Sequence, residues 1–169
     1  MKKEMLSRRH ILFSILFISW GCGTTQTAVE KEMLASEVRE AVAEGSFRFE
    51  ATHVYPTGFR SLYLSPHYDV TVTADTVKAH LPYYGRAYHA PLDPREGGFQ
   101  FSSTDFTYRY AAGRRSGSWE ARITILDQDR PITLIFDIWE NGSSHLVVND
   151  FNRQSISFQG DSRGLDAQK

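Results

Sequence analysis

Cys22 is the only cysteine among 169 residues, and it follows Ser19-Trp20-Gly21 at the end of an apolar run. A thiol placed there can be acylated. The small-residue approach resembles a lipobox, the stretch read by lipoprotein signal peptidase, so Cys22 is the expected lipidation site. A lone thiol in an exported chain has no partner for an internal disulfide, which fits that use. Other reactive patterns are missing: no Gly-x-Ser-x-Gly elbow, no His-Glu-x-x-His pair, no P-loop and no dinucleotide fingerprint. His53, His67, His80, His89 and His145 match no metal-ligand spacing. Asp137 with Glu140, and Asp127 with Asp129, are acid and base types, but polar strand faces and turns select the same residues. No catalytic residue, cofactor or metal is expected, and the chain reads as a non-enzyme.

A second concentration of binding chemistry lies between Pro82 and Gly98, a connection longer than a hairpin needs, carrying Tyr83, Tyr84, Arg86, Tyr88, His89 and Arg95. Aromatic rings beside guanidinium groups suit stacking on a sugar, a peptide or another flat group. Tyr83, Tyr84, Arg86 and Tyr88 are the expected partner surface, with Arg86 and Tyr88 exposed and the two neighbouring tyrosines as partly buried supports. The competing structural role is a plug that closes one end of the fold.

The elements that would position these groups begin with an export signal. Lys2, Lys3, Arg8 and Arg9 precede the apolar run from Ile11 to Ile18, a basic head and a hydrophobic segment too short to span a bilayer. Residues 1–21 are expected to be removed. The remainder then carries 15 basic against 19 acidic residues, a formal charge of −4 with no electrostatic footprint for nucleic acid. Residues 22–28 form a short polar tether of at most about 20 Å, so the domain sits near its membrane.

Val29 to Glu44 is predicted to be an amphipathic helix, with Val29, Met33, Leu34, Val38, Ala41 and Val42 on one stripe and Gly45 ending it. From Phe47 onward the pattern changes to a period of two, repeated in runs through Phe158. Turn residues separate the runs, Asn141-Gly142 most clearly as a two-residue type I′ hairpin and Thr104-Asp105 more weakly. Eight or nine hairpin-linked strands with one dry face predict a mainly β fold: one N-terminal helix followed by an antiparallel barrel or half-barrel. The domain is expected over residues 29–160, with 161–169 as a polar tail. Phe47, Phe49, Phe99, Phe101, Phe106, Phe136 and Phe158 are expected to face inward.

Leu81-Pro82-Tyr83-Tyr84-Gly85-Arg86-Ala87-Tyr88 and Asn152-Arg153-Gln154-Ser155-Ile156-Ser157-Phe158-Gln159-Gly160 resemble landmarks of a lipoprotein family of the Bacteroidota, the domain of unknown function DUF4251. The resemblance implies a lipocalin-like barrel and an envelope address, and carries no activity with it. Asp75-Thr76-Val77 is similar to the Asp-Thr-aliphatic sequence that Bacteroidota glycosylate on the hydroxyl oxygen, which makes Thr76 a candidate O-glycosylation site. Surface lipoproteins there tend to carry acidic residues just after the acylated cysteine. The first here is Glu30, so the periplasmic face of the outer membrane is expected.

Three function classes fit: a non-catalytic binding or accessory module with an envelope protein or glycan partner, a small-molecule carrier, and an enzyme with an unrecognised site. The bulky inward phenylalanines weigh against the carrier.

Overall fold

The computed structural model describes residues 27–86 and 97–165. A helix, α1 (Ala28–Glu44), begins at Thr27, whose hydroxyl accepts the Glu30 N–H while the Glu30 carboxylate accepts the Thr27 N–H, a reciprocal capping box. It ends at Gly45, whose φ of 65° is the left-handed conformation that glycine adopts without strain. Thr27 and Ala28 therefore belong to the helix rather than to the predicted tether. The predicted stripe divides. Val38, Ala41 and Val42 are buried and Leu34 packs against them, but Val29 and Met33 are 65% and 68% exposed. The first turns project past the body they were expected to cover. No helix among the described residues is long and apolar enough to cross a membrane.

Ten strands follow among the described residues: β1 (Phe47–Pro56), β2 (Leu62–Tyr63), β3 (Asp69–Val72), β4 (Val77–Pro82), β5 (Gly98–Ser103), β6 (Phe106–Ala112), β7 (Ser118–Ile125), β8 (Ile132–Trp139), β9 (Ser143–Asp150) and β10 (Ile156–Gly164). They form one sheet in the order β5-β4-β3-β1-β10-β9-β8-β7-β6, with β2 also on β1. Every pairing is antiparallel.

Two details reconcile ten strands with the expected eight or nine. β2 and β3 pair with successive stretches of β1 and act as one interrupted strand. β5 and β6 lie eight antiparallel steps apart along the sheet and so run in the same direction, joined by only Thr104 and Asp105. They are one bent run, hydrogen-bonded to β4 through its first half and to β7 through its second, which nearly closes the barrel. The turn expected at Thr104-Asp105 is thus a bend. The side-chain alternation also slips there, from Phe99, Phe101 and Ser103 to Phe106 and Tyr108.

The core is the inward face of this cylinder. Phe47 and Phe49 both meet Phe136 edge-on, at ring distances of 5.3 and 5.7 Å, and all three are buried with Phe158. Phe99 is buried too, whereas Phe101 and Phe106 are only half-buried on the closing run.

Two further expectations are corrected. Asn141-Gly142 is part of a three-residue connection, because β8 ends at Trp139 and β9 starts at Ser143. Gly142 N–H bonds Trp139 O at 2.8 Å, and Gly142 alone has a positive φ, of 82°. That is a type I turn followed by a left-handed glycine, not a type I′ turn. The supposed polar tail is also sheet as far as Gly164: Asp161, Ser162, Arg163 and Gly164 pair with Glu50, Phe49, Arg48 and Phe47. The inward residues there are small, since α1 packs across that mouth. A side chain on Gly164 would meet Ala41 and Glu37, and Ser162 bonds Ser144 at 2.8 Å.

Candidate functional site

The end of the barrel away from α1 gathers three connections, and the two sequence landmarks meet there. Tyr83 follows the last residue of β4, with its ring edge-on to Phe99 at 5.7 Å. Its hydroxyl donates to Arg86 O at 2.9 Å and lies 3.1 Å from Gln154 O. Gln154 N–H returns a bond to Arg86 O at 3.1 Å, and the Thr57 hydroxyl ties the β1–β2 turn to Ser155 O at 2.9 Å.

Arg153 joins the same pieces from the other side. Its Nη1 donates to Gly98 O at 2.9 Å, and its guanidinium carbon lies 5.3 Å from the Tyr83 ring and 5.1 Å from that of Phe99. Its Nε is 3.5 Å from Asp150 Oδ2, with both side chains largely withdrawn from water. Asp150 also accepts the Asn152 N–H at 2.9 Å, which turns the chain so that Arg153 points back over the rings. Asn152 Oδ1 is buried with no hydrogen-bond partner.

Tyr83 thus sits in the supporting layer. Tyr84 is 41% exposed, more open than a support, and Arg86 is exposed. Tyr88, His89 and Arg95 lie outside the described residues, as do Cys22 and the signal segment. The described part of the junction can hold a flat or anionic group against Tyr84 and Arg86 on a base fixed from beneath.

Thr76 lies at the opposite end, in the β3–β4 turn. Its hydroxyl donates to Asp75 Oδ1 at 3.2 Å, and Thr73 donates to the same oxygen at 2.8 Å. These bonds, that from Thr73 foremost, hold the Asp75 carboxyl below its usual range. The other candidate acid–base residues do not converge. Asp137 is on the outer face of β8 opposite His145, and Glu140 is in the following turn. Among the described residues, no group of three or more His, Cys, Asp or Glu is arranged to hold a metal.

Sequence reasoning missed a second feature, a depression on the outer wall beside β1, lined by Arg48, Glu50, Tyr63, His67, Tyr68 and Asp69 among others. The alternation of β1 does place Arg48 and Glu50 outward. The loop that completes the depression has no periodicity to read.

These features define, among the described residues, one helix and a nearly closed antiparallel barrel whose inner residues are packed together and whose polar groups converge on an end and on the outer wall. The chain belongs to the family described as domain of unknown function DUF4251, whose sequence profile matches residues 29–162. A solved DUF4251 family protein from Bacteroides eggerthii DSM 20697 is similar with a TM-score of 0.59 at 12% identity, over 80% of this chain and 91% of that one. This establishes the shared fold. No curated protein matches the chain.

Proposed function

We propose that this chain is a lipid-anchored protein of the bacterial envelope, held through acylated Cys22, whose barrel is a non-catalytic binding or accessory module. The observation that carries this reading is the packed interior. Phe47, Phe49, Phe136 and Phe158 occupy the space in which a lipocalin-like carrier would place its ligand. Recognition is thereby moved to the surface, and the loop end supplies Tyr84 and Arg86 on the Tyr83–Arg153 base. Tyr88 belongs to the same connection. The partner is an envelope protein or glycan, and the anchor is on the periplasmic face of the outer membrane.

Two measurements test the proposal. Cys22→Ser should leave the chain unlipidated and in the soluble fraction, since two or more acyl chains at about 0.8 kcal/mol per buried CH₂ supply the attachment. Retention of that variant in membranes washed free of peripheral proteins would refute the anchor. Cross-linking in intact cells should capture a partner with the native chain and less of it with Arg86 and Tyr88 both changed to Ala. Undiminished capture by a folded double variant would place the surface elsewhere.

A further inference from the structure

The depression on the outer wall has a volume of about 260 Å³. Three irregularities of the backbone converge on it. The register of β1 against β10 slips between Ala51 and His53. The strand on its other side is interrupted between Tyr63 and Asp69. Within that interruption His67 has a φ of 105°, the only positive value at a non-glycine among the described residues. An unbroken strand would satisfy the same backbone without a bulge or a strained residue. Bulges and strained residues cluster where side chains must be aimed at a ligand.

The side chains are aimed in this way. Glu50 and Asp69 are directly opposite each other across β1 and β3, an arrangement of like charges that costs stability unless compensated. Arg48 compensates it, with Nε 3.3 Å from Asp69 and 3.6 Å from Glu50. That nitrogen is buried yet not aligned for a hydrogen bond to either, so the contact is one of charge. The Thr71 hydroxyl fixes Asp69 Oδ2 at 3.1 Å.

The rim is aromatic. Tyr63 is 74% exposed, and His53 meets it edge-on at 5.1 Å, steadying the ring. Tyr68 packs on His80 at 5.3 Å, and His80 Nδ1 is bonded to His67 O at 2.9 Å, which braces the strained residue.

A ring face beside two carboxylate acceptors, that of Asp69 held by Thr71, and one guanidinium matches a pyranose. Its C–H face stacks on an aromatic ring, and its neighbouring hydroxyls donate in pairs to carboxylate oxygens. Two carboxylates against one guanidinium leave a negative balance, which disfavours anionic ligands. The volume falls just below the roughly 300 Å³ at which drug-sized pockets begin, so one ring fits with the rest of its chain outside. We propose that this depression binds a neutral pyranose ring, the terminal residue of a glycan. The proposal depends neither on the lipid anchor nor on the loop-end surface.

The test is an amide-resolved NMR titration of the full chain with methyl glycosides of glucose, galactose, mannose and N-acetylglucosamine, and with methyl glucuronide as an anionic comparison. At least one neutral glycoside should move the amides of Glu50, Thr52 and residues 67–69 saturably, and the glucuronide should not. Tyr63→Ala and Glu50→Gln, both at exposed positions, should each weaken binding about three- to tenfold while preserving the spectrum elsewhere. Arg109→Ala, on the far wall, should leave it unchanged. The proposal is overturned if no neutral glycoside moves these amides at tens of millimolar, or if binding survives both variants intact. Movement with tri-alanine alone would assign the depression to a peptide and equally overturn it.

Discussion

Replacing Arg153 by Ala tests whether the junction of the two landmarks is what holds the loop end together. The substitution removes a charged hydrogen bond to Gly98 O, an ion pair with Asp150 and ring contacts with Tyr83 and Phe99. A hydrogen bond to a charged group contributes about 1.5–3 kcal/mol, and a partly desolvated cation over an aromatic face about 0.5–2 kcal/mol. Asp150 would keep its charge in a site only 12% exposed, a further penalty. All of these act through one side chain and do not add fully. The expected loss is roughly 2–4 kcal/mol, or about 6–15 °C in Tm for a domain of this size. Arg153→Lys keeps a charge for Asp150 but loses the planar fork, and should recover about half of that loss. The assay is urea unfolding at pH 7, with Arg86→Ala as the contrasting exposed arginine, expected within about 0.5 kcal/mol of the native chain. A loss of less than about 1 kcal/mol for Arg153→Ala, or equal losses for the two arginines, would refute this role for Arg153.

The remaining predictions concern the other end of the barrel and its seam. Burial, with the Tyr110 phenol adding to it, pushes the Tyr108 hydroxyl above its ordinary value while it donates to Val42 O. The stability it contributes is complete below the unfolded phenol's pKa near 10 and is lost as pH rises toward the folded value. Tyr108→Phe should therefore cost about 1 kcal/mol at pH 7 and show a shallower alkaline decline in denaturant titrations, and an unchanged alkaline slope would contradict this. Gly160→Ala would drive a Cβ into the Glu50 carbonyl at the β1 bulge, and should reduce stability by more than about 3 kcal/mol or abolish folding; near-native circular dichroism melting would show the seam to be pliable. Chain isolated from its native host should carry a sugar increment in intact mass that Thr76→Ala removes, and a mass equal to the acylated chain alone excludes glycosylation.

The parts of this fold that were legible in sequence are those in which one residue type repeats on one face. β8 alternates Ile132, Leu134, Phe136 and Ile138 inward, and the structure buries all four. The end of β10 carries no apolar alternation because its inward positions are Ser162 and Gly164, suited to closeness with α1 rather than to hydrophobicity. Val29 and Met33 fitted the helical stripe, but periodicity specifies a face and not how far its cover extends. In the landmark around Tyr83 and Arg86, the sequence pairs Tyr84 with Tyr83 as partly buried supports, and the structure divides them: Tyr83 is half-buried and Tyr84 is exposed. That division arises from contacts with Gln154 and Arg153, some seventy positions away. The outer depression is periodic only where Arg48 and Glu50 alternate outward on β1; the register slip and the strained histidine that complete it carry no period.

The ladder between β1 and β10 bears on how this chain folds. Every other pairing joins strands that are neighbours in sequence, apart from β3 meeting β1 across the small β2. The barrel is therefore two meanders, each able to form from local hairpins, clasped by one seam between residues 47–56 and 156–164. Closing that seam brings together segments a hundred or more positions apart, so the loop-closure entropy falls on this step, and contact order assigns the slow phase to it. During synthesis β1 waits with a bare edge until the last strand emerges. A chain cut after β9 would expose the edges of both β1 and β9, the arrangement most open to pairing between molecules. The last nine residues of the sheet thus act as the latch of the whole cylinder, and its two glycines keep that latch thin, Gly160 against the β1 backbone at the bulge and Gly164 under the helix.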